Sequence, residues 1–248
     1  MRETRLIMGM PISLAVLDTH ARQYQLDHVF AEFMAIDAQF SPFKEDSEIS
    51  RLNRGEISKE TLTPRMREVF ALCEKTKAET QGYFDIARPD GMLDPCGMVK
   101  GWAIQNAVAL LLKMGFENFC VEAGGDIQCH GVNDEGGEWT VGIRNPFNAD
   151  EIVKVLTPKG AGVATSGNYI RGAHIYNPHT GQYGSDDIVS LTVIGPDVLE
   201  ADRYATAAFA MGREGIYFIE RTKDLEGYEI NSSGVARMTS GLERYLPC

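Results

Sequence analysis

The chain alternates between segments whose apolar residues follow a helical spacing and segments that read as strands, and this alternation constrains the fold most. From Ala21 to Phe40 the apolar residues recur every three or four positions, which predicts a helix. Asp37 interrupts this stripe, so the end of the helix stays open. Further helices are predicted from Thr63, with Pro64 suited to the first turn, from about Lys100 to Lys113, and from Leu199 to Met211.

Strand-like segments lie between these helices. Residues 4–18 read as extended and bent at Gly9 and Pro11; others fall at 118–122, 139–144, 152–156, 163–165 and 188–194, with a short helix and two strands after Gly215. The stretch from Gly82 to Pro95 is too rich in Gly, Pro and Asp for regular structure. No linker or repeat divides the sequence. The mixture predicts an α+β fold, with mixed sheets and packed helices, in a single domain over residues 1–248.

The charge balance excludes some classes of partner. Lys and Arg number 24 against 35 Asp and Glu, which gives a formal net charge of −11. Nucleic acids and anionic membranes bind clustered Lys and Arg, so neither is expected as the main partner. No apolar run approaches the ~18 residues that suggest a membrane span. We therefore expect a soluble protein whose partners are small molecules or other proteins.

The five cysteines give a prediction about the redox environment. They stand at positions 73, 96, 120, 129 and 248, odd in number and without metal-type spacing. This pattern favours neither a disulfide framework nor a zinc site. The start of the chain carries no apolar signal core. The combination predicts a cytoplasmic protein.

Two segments carry residues suited to phosphates and cations. In Asp94-Pro-Cys-Gly-Met-Val-Lys-Gly101 a glycine-containing turn runs into a helix, where backbone amides and Lys100 could cradle a phosphate. Taken alone, this segment is better explained as a plain helix entry with a solvated lysine. Asp202 and Thr206 are spaced i, i+4 on one helical face, where they could give two oxygen ligands to a hard cation such as Mg²⁺. The alternative is a pair that only stabilises its own helix.

Two other segments suit a base and a planar ligand. His174 lies among hydroxyl residues between strands and could act as a general base. His174 and His179 make a poor metal pair, because no Cys or third His is near them. Aromatic residues beside Asp and Asn, in 40–53 and 82–86, suit a flat ligand such as a flavin or adenine. Ordinary loop structure remains the alternative for both segments.

Taken together, the order and wording of these segments resemble the ApbE family, the FAD:protein FMN transferases. The matching segments follow the family order from residue 8 to about 212. They are Met8-Gly9, Ser47-Glu-Ile-Ser-Arg-Leu-Asn53, Gly82-Tyr-Phe-Asp-Ile86, Gly97-Met-Val-Lys-Gly101, Ala123-Gly-Gly-Asp126, Trp139-Thr-Val-Gly-Ile143, Thr165-Ser-Gly167, His174-Ile175 with Pro178-His-Thr-Gly181, and Ala201-Asp202 with Ala205-Thr206-Ala207. Each segment alone is weak, and the resemblance depends on all nine in order.

The resemblance implies an ApbE-like fold of two interlocked halves and a magnesium-dependent enzyme. It implies that FAD is the substrate, that FMN passes to a Thr hydroxyl of an acceptor flavoprotein, and that AMP leaves. By family pattern the metal ligands are the Gly97 carbonyl, Asp202 and Thr206, and the FAD site comprises Met8, Phe43, Tyr83, Phe84, Asp85, Asp94, Lys100 and Ile175. Asn53 matches the position associated with choosing between FAD hydrolysis and transfer, and His174 fits the base for the acceptor Thr. An Mg²⁺-dependent FAD pyrophosphatase and a flavin-binding protein without turnover are the alternatives.

Four positions depart from the family pattern. Met10 follows Met8-Gly9 where the family has Thr, Phe43 replaces a Tyr, and Gln105 replaces an Asp. Arg203 replaces a small residue beside the predicted metal ligand Asp202, which predicts an added cation near the phosphates. None of these changes removes a predicted metal ligand.

Overall fold

The computed structural model describes residues 1–168, 172, 175–185 and 187–247, and an antiparallel sheet of eight strands runs through it. The sheet has the order β1-β2-β3-β4-β7-β8-β9-β10, and β5 and β6 form a separate hairpin. The strands are β1 Arg2–Ile7, β2 Met10–Val16, β3 Phe119–Ala123, β4 Asp126–His130, β5 Val141–Asn145, β6 Asn148–Leu156, β7 Gly162–Gly167, β8 Ile188–Gly195, β9 Glu226–Asn231 and β10 Ala236–Met238. The helices are α1 Gln23–Phe40, α2 Glu48–Asn53, α3 Pro64–Glu79, α4 Cys96–Lys113, α5 Val198–Ala210 and α6 Gly215–Arg221. The predicted mixture of helices and sheets is confirmed.

The first two strands form a hairpin where the sequence predicts one bent segment. Their pairing runs from Arg2 with Ala15 to Ile7 with Met10, which leaves Met8 and Gly9 as a two-residue turn. Both turn residues have positive φ, 55° and 71°, as a tight hairpin turn requires. β2 also pairs with β3, so this turn projects from an interior strand of the sheet.

The sequence left one helix boundary open, and another differs from the prediction. α1 continues past Asp37 to Phe40, and the Asp37 side chain, 16% exposed, forms an ion pair with Lys44 at 2.6 Å. α4 begins at Cys96, about one turn before the predicted start at Lys100. Asp94 accepts a hydrogen bond from the Cys96 N–H at 3.0 Å and so satisfies one free donor of the first turn. Gly97 therefore lies inside α4.

Two hydrophobic clusters meet at α5. One cluster surrounds α1, α3 and α4 on the β2–β3 side of the sheet, with Phe33 and Ile104 fully buried. The other lies between α5, α6 and the β7–β9 strands and includes Phe209. α5 contributes Val198 and Leu199 to the first cluster and most of its remaining apolar residues to the second. α5 therefore packs in both hydrophobic clusters and connects them.

The cysteines correct one prediction. Cys120 and Cys129 stand directly opposite each other on β3 and β4 and form a disulfide, although the sequence favoured none. Their separation of nine residues spans a tight hairpin, so the pairing becomes visible only once the strand register is known. Cys73 is free and buried, and burial raises its pKa to about 12. Within the described residues, no helix has the length and apolar character that a membrane crossing requires.

Candidate active site

A cavity of about 550 Å³ opens where the β1–β2 turn, the loop of residues 82–95, and helices α4 and α5 meet. All eleven residues predicted from the sequence for the FAD and metal sites line it. They are Met8, Phe43, Tyr83, Phe84, Asp85, Asp94, Gly97, Lys100, Ile175, Asp202 and Thr206. The fold thus brings segments from the start, middle and end of the chain to one place.

Two glycines allow α4 and α5 to approach closely at this cavity. A Cβ atom at Gly101 would lie 2.9 Å from the Asp202 Cβ and 3.1 Å from the Leu199 Cα, closer than real Cβ atoms tolerate. A Cβ atom at Gly97 would lie 3.2 Å from the Thr206 Cγ2. The i, i+4 spacing puts both glycines on one face of α4. This face receives Asp202 and Thr206, themselves one turn apart on α5.

Asp202 is a buried carboxylate joined to the backbone of α4. It is 2% exposed, and its Oδ2 accepts the Gly101 N–H at 2.8 Å. A regular helix directs this N–H at the Gly97 carbonyl oxygen, so Asp202 and Gly97 compete for one donor. Burial raises the pKa of Asp202 to about 7; Lys100 opposes this shift and the neighbouring charge of Asp126 adds to it.

Lys100 lies between two buried carboxylates. Its Nζ is 2.6 Å from Asp126 Oδ2 and 3.3 Å from Asp202 Oδ1. Asp126 is fully buried, and its other oxygen accepts the Thr165 N–H at 3.1 Å. The alternative of a solvated lysine is therefore wrong: the side chain of Lys100 is 16% exposed and held in an ion-pair network.

Aromatic rings form the walls of the cavity. Tyr83 and Phe84 come from the loop of residues 82–95, and the exposed Phe43 follows α1. The sequence did not single out Tyr176, which also lines the cavity. Its hydroxyl lies 2.5 Å from the Asp85 carbonyl and 2.7 Å from the Ala87 carbonyl and donates to them. These contacts connect Tyr176 to the loop of residues 82–95. Such walls suit a flat aromatic ligand.

A family model supplies the assignment that this geometry leaves open. The model described as the ApbE family matches residues 8–89 and 87–228, which is most of the chain. The chain belongs to the ApbE family. The resemblance drawn from the nine sequence segments is thereby confirmed.

Curated relatives carry the same family's activity in their names. An FAD:protein FMN transferase from Vibrio cholerae is 26% identical over 257 residues, which covers 80% of this chain and 76% of that protein. An FAD:protein FMN transferase from Escherichia coli K12 is 31% identical over 163 residues, which covers 62% of this chain and 46% of that protein. The match thus spans about three quarters of the first relative and less than half of the second.

Solved ApbE structures share the fold. Flavin transferase ApbE from Vibrio cholerae superposes with a TM-score of 0.88 at 21% identity, and 99% of each chain is covered. The ApbE protein from Thermotoga maritima gives a TM-score of 0.87 at 19% identity, with 100% of this chain and 99% of that chain covered. At this level of identity the superpositions establish an ApbE fold.

The two residues predicted to be catalytic, Asn53 and His174, have different outcomes. Asn53 lines a neighbouring cavity of about 390 Å³. Its side-chain amide donates to the Leu93 carbonyl and accepts the Leu93 N–H, both at 2.9 Å. Asn53 thus holds the loop of residues 82–95 against α2. His174 lies outside the described residues, so its predicted role as a base stays a prediction.

Arg203 corrects another expectation. It was predicted to add a cation near the phosphates, but its side chain is 3% exposed and points away from the cavity. It pairs with Glu200 at 2.5 Å and also contacts Glu79, with Thr76 accepting a further hydrogen bond at 3.1 Å. Each residue turns an α-helix by about 100°, so Arg203 leaves α5 in a different direction from its neighbour Asp202.

Asp126 and Arg88 are site residues that sequence reasoning missed. Asp126 belongs to a matched family segment, but nothing in the sequence links it to Lys100. Arg88 lines both the main and the neighbouring cavity. Its Nε atom is buried and has no hydrogen-bond partner in the part of the chain that the structure describes. The irregular loop that carries Arg88 gives no periodicity from which its direction could be predicted.

Proposed function

We propose that this ApbE chain is an FAD:protein FMN transferase. It takes FAD, cleaves the pyrophosphate, and transfers FMN to the hydroxyl of a Thr in an acceptor flavoprotein, releasing AMP. The observation that carries the proposal is the meeting of aromatic walls, the Lys100 ammonium and the oxygens of Asp202 and Thr206 in one cavity. The names of the Vibrio cholerae and Escherichia coli relatives support the same activity.

Mg²⁺ is the cation that we propose for this site. Within the part of the chain that the structure describes, no three His, Cys, Asp or Glu side chains converge as metal ligands. In this proposal the Gly97 carbonyl, Asp202 and Thr206 supply three hard oxygens, the ligand type that Mg²⁺ prefers. The missing Cβ of Gly97 keeps the space beside Thr206 open. When bound, Mg²⁺ neutralises charge on the pyrophosphate and makes phosphorus more electrophilic.

The flavin and the adenine are bound by the aromatic walls in this proposal. Tyr83, Tyr176 and Phe43 offer ring faces, and Phe84 is a buried ring behind them. Asp85 is fixed by an ion pair with Lys77 at 2.6 Å, so its polar edge is held in place. The pyrophosphate then lies at the α4 end of the cavity, near the Lys100 ammonium.

The transfer step is a displacement at phosphorus. The oxygen of the acceptor Thr bonds to the phosphorus of the FMN half, and the bond from that phosphorus to the bridging oxygen breaks. AMP leaves with the bridging oxygen and its electron pair, and the hydroxyl proton passes to a base, for which His174 is the proposed residue. Lys100 offsets the charge on the phosphates, and the aromatic walls orient the reacting phosphorus.

Hydrolysis of FAD to FMN and AMP is the second function to test, because water can replace the acceptor hydroxyl in the same step. A flavin-binding protein without turnover is the third. The fixed position of Asp202 beside Lys100 favours catalysis over storage, since binding a flavin alone needs no such pair of charges.

One incubation separates these functions. The protein is mixed with FAD and Mg²⁺, alone, with a Thr-bearing acceptor flavoprotein, and with the same acceptor carrying Ala at that Thr. We expect AMP release and covalently bound FMN in the mixture with the Thr acceptor, and neither product in the other two mixtures. AMP with free FMN in all three mixtures would support hydrolysis, and FAD bound without products would support storage.

The cellular compartment is part of the proposal. The scattered cysteines predict a cytoplasmic protein. The Cys120–Cys129 disulfide disagrees with that prediction, because reducing compartments disfavour disulfides. Thiol alkylation and mass spectrometry of protein taken directly from cells would decide the state of this pair. Alkylation at both residues supports the cytoplasm; protection of both contradicts it.

A further inference from the structure

We infer that Lys100 acts as an internal counter-ion of Asp202 while no divalent cation is bound, and that Asp126 is a positioning residue that receives the Lys100 ammonium when such a cation binds. This inference rests on the proposed function, because it concerns the same metal site. It assigns separate roles to two residues that the sequence did not connect.

The distances place Lys100 between the two carboxylates with a preference for Asp126. The Nζ atom is 2.6 Å from Asp126 Oδ2 and 3.3 Å from Asp202 Oδ1. The longer of these two contacts is the one made to the proposed metal ligand. A divalent cation at Asp202 repels the ammonium. The ammonium can then leave Asp202 and keep its ion pair with Asp126.

Asp126 is built to stay in place during this exchange. It follows Gly124 and Gly125, whose φ values of 58° and 96° form the tight turn between β3 and β4. Its Oδ1 accepts the Thr165 N–H at 3.1 Å, and its side chain is fully buried. Lys100 and Asp202 line the cavity, whereas the fully buried Asp126 is not among its lining residues. Asp126 is therefore an anchor for the lysine and not a ligand of the cation.

The charges at the site agree with this assignment. When both carboxylates are ionised, the two of them and one ammonium carry a net charge of −1 with no cation bound. Without Lys100 the two buried carboxylates would lack this counter-ion, which is costly in a low-dielectric interior. A divalent cation changes the net charge to +1, and a dianionic pyrophosphate returns it to −1. Lys100 can thus keep its charge, and its pair with Asp126, at every stage.

The test measures Mn²⁺ binding to the flavin-free protein, by the electron paramagnetic resonance signal of free Mn²⁺ and by calorimetry. The variants are Asp126→Asn, Lys100→Gln and the double variant. In Asp126→Asn the ammonium loses its nearer carboxylate and is held beside Asp202, so we expect Mn²⁺ affinity to fall at least about tenfold. In Lys100→Gln the competing cation is gone, so we expect affinity to rise.

The double variant decides the matter even where Lys100→Gln fails to fold, because it also removes one of the two buried carboxylate charges. We expect it to recover the affinity lost in Asp126→Asn, since no ammonium then competes for Asp202. If the network only supports the site structurally, the double variant binds Mn²⁺ as weakly as Asp126→Asn or more weakly, and the inference is wrong. Unchanged affinity in Asp126→Asn would also overturn it. Neither measurement depends on FAD turnover, so the proposed transferase activity stands or fails separately.

Discussion

The Asp202 carboxylate accepts the backbone N–H of Gly101 at 2.8 Å, and this hydrogen bond ties together two helices that are far apart in the sequence. The bond exists because α4 has no side chain at position 101 to hold α5 away. A helix crossing and a candidate metal ligand are therefore set by one contact. The predictions below separate the structural part of this contact from its chemical part.

Gly101→Ala should destabilise the protein. Its Cβ would lie 3.1 Å from the Leu199 Cα, which is backbone and cannot move unless α5 shifts. Alanine gains about 1 kcal/mol of helix preference over glycine, but overpacking of this kind costs about 1–3 kcal/mol, and backbone contact places it at the upper end. We expect a net loss of about 1–2 kcal/mol in urea unfolding. A variant as stable as wild type would contradict the close crossing.

Gly97→Ala is the matched change one turn earlier in α4. Its Cβ would meet the Thr206 methyl at 3.2 Å and the Phe84 ring at 3.3 Å, which are side chains that can shift. We expect stability within about 1 kcal/mol of wild type, because the helix preference of alanine offsets this strain. Turnover of FAD should fall at least about tenfold and need more Mg²⁺, since the added methyl crowds the proposed ligand position. Full activity at ordinary Mg²⁺ would argue against Gly97 as part of the metal site.

Asp202→Asn should abolish FAD cleavage while the protein stays folded. The amide oxygen can still accept the Gly101 N–H, but the anionic oxygen for the cation is gone. We expect AMP release to fall by a factor of about 100 or more. Asp224→Asn is the matched control, because Asp224 is exposed and forms an ion pair with the exposed Lys223 at 3.7 Å. Activity of Asp202→Asn equal to that control would remove the metal assignment.

Asn53→Ala should act through the loop of residues 82–95. It removes two hydrogen bonds to the Leu93 backbone, which we expect to lower stability by about 1–2 kcal/mol. Because this loop carries Tyr83 and Arg88, the ratio of covalent transfer to hydrolysis should fall. Asn133→Ala is the control, since Asn133 makes similar backbone bonds to Gly137 and Glu138 in a different loop. An equal effect of both variants on the ratio would show that Asn53 has no specific role.

Glu229→Gln should stabilise the protein above neutral pH. Glu229 is fully buried on β9, neither of its carboxylate oxygens has a hydrogen-bond partner among the described residues, and Arg237 is 3.9 Å away. Burial raises the pKa of Glu229, so the folded state holds its proton more tightly than the unfolded state does. Stability is thus greatest below the unfolded pKa and is lost as the pH rises through the folded value.

The measurement for Glu229 is the thermal midpoint of wild type and variant from pH 4 to pH 9. At high pH we expect the thermal midpoint of the variant to exceed that of wild type by about 2–4 °C for each kcal/mol of stability gained. At low pH we expect the two midpoints to be equal. Glu214→Gln is the control, because Glu214 is exposed and should show no such pH dependence. A difference between wild type and Glu229→Gln that stays constant over this range would contradict the assignment.

The sequence predicted the parts of the site that follow from local periodicity. The i, i+4 spacing of Asp202 and Thr206 fixes their common face on a helix, and the structure places both at the cavity. The long apolar stripe from Ala21 to Phe40 likewise predicted α1. These features depend on residues within a few turns of one another.

Contacts between distant segments could not be predicted in this way. The ion pair of Lys100 with Asp126 depends on how the β3–β4 turn packs against α4, and the Cys120–Cys129 disulfide depends on strand register. Arg203 was misjudged because its neighbour Asp202 suggested a shared site, although adjacent helical residues point in different directions. Tertiary packing decides each of these cases.

The most direct test of the account is a crystal structure of the protein with FAD and Mn²⁺, with anomalous data collected to locate the metal. We predict one Mn²⁺ peak bounded by the Gly97 carbonyl, Asp202 and Thr206, in contact with the FAD pyrophosphate, and flavin density between the aromatic walls. A metal peak away from the crossing of α4 and α5, or FAD bound outside the cavity, would contradict the central claim.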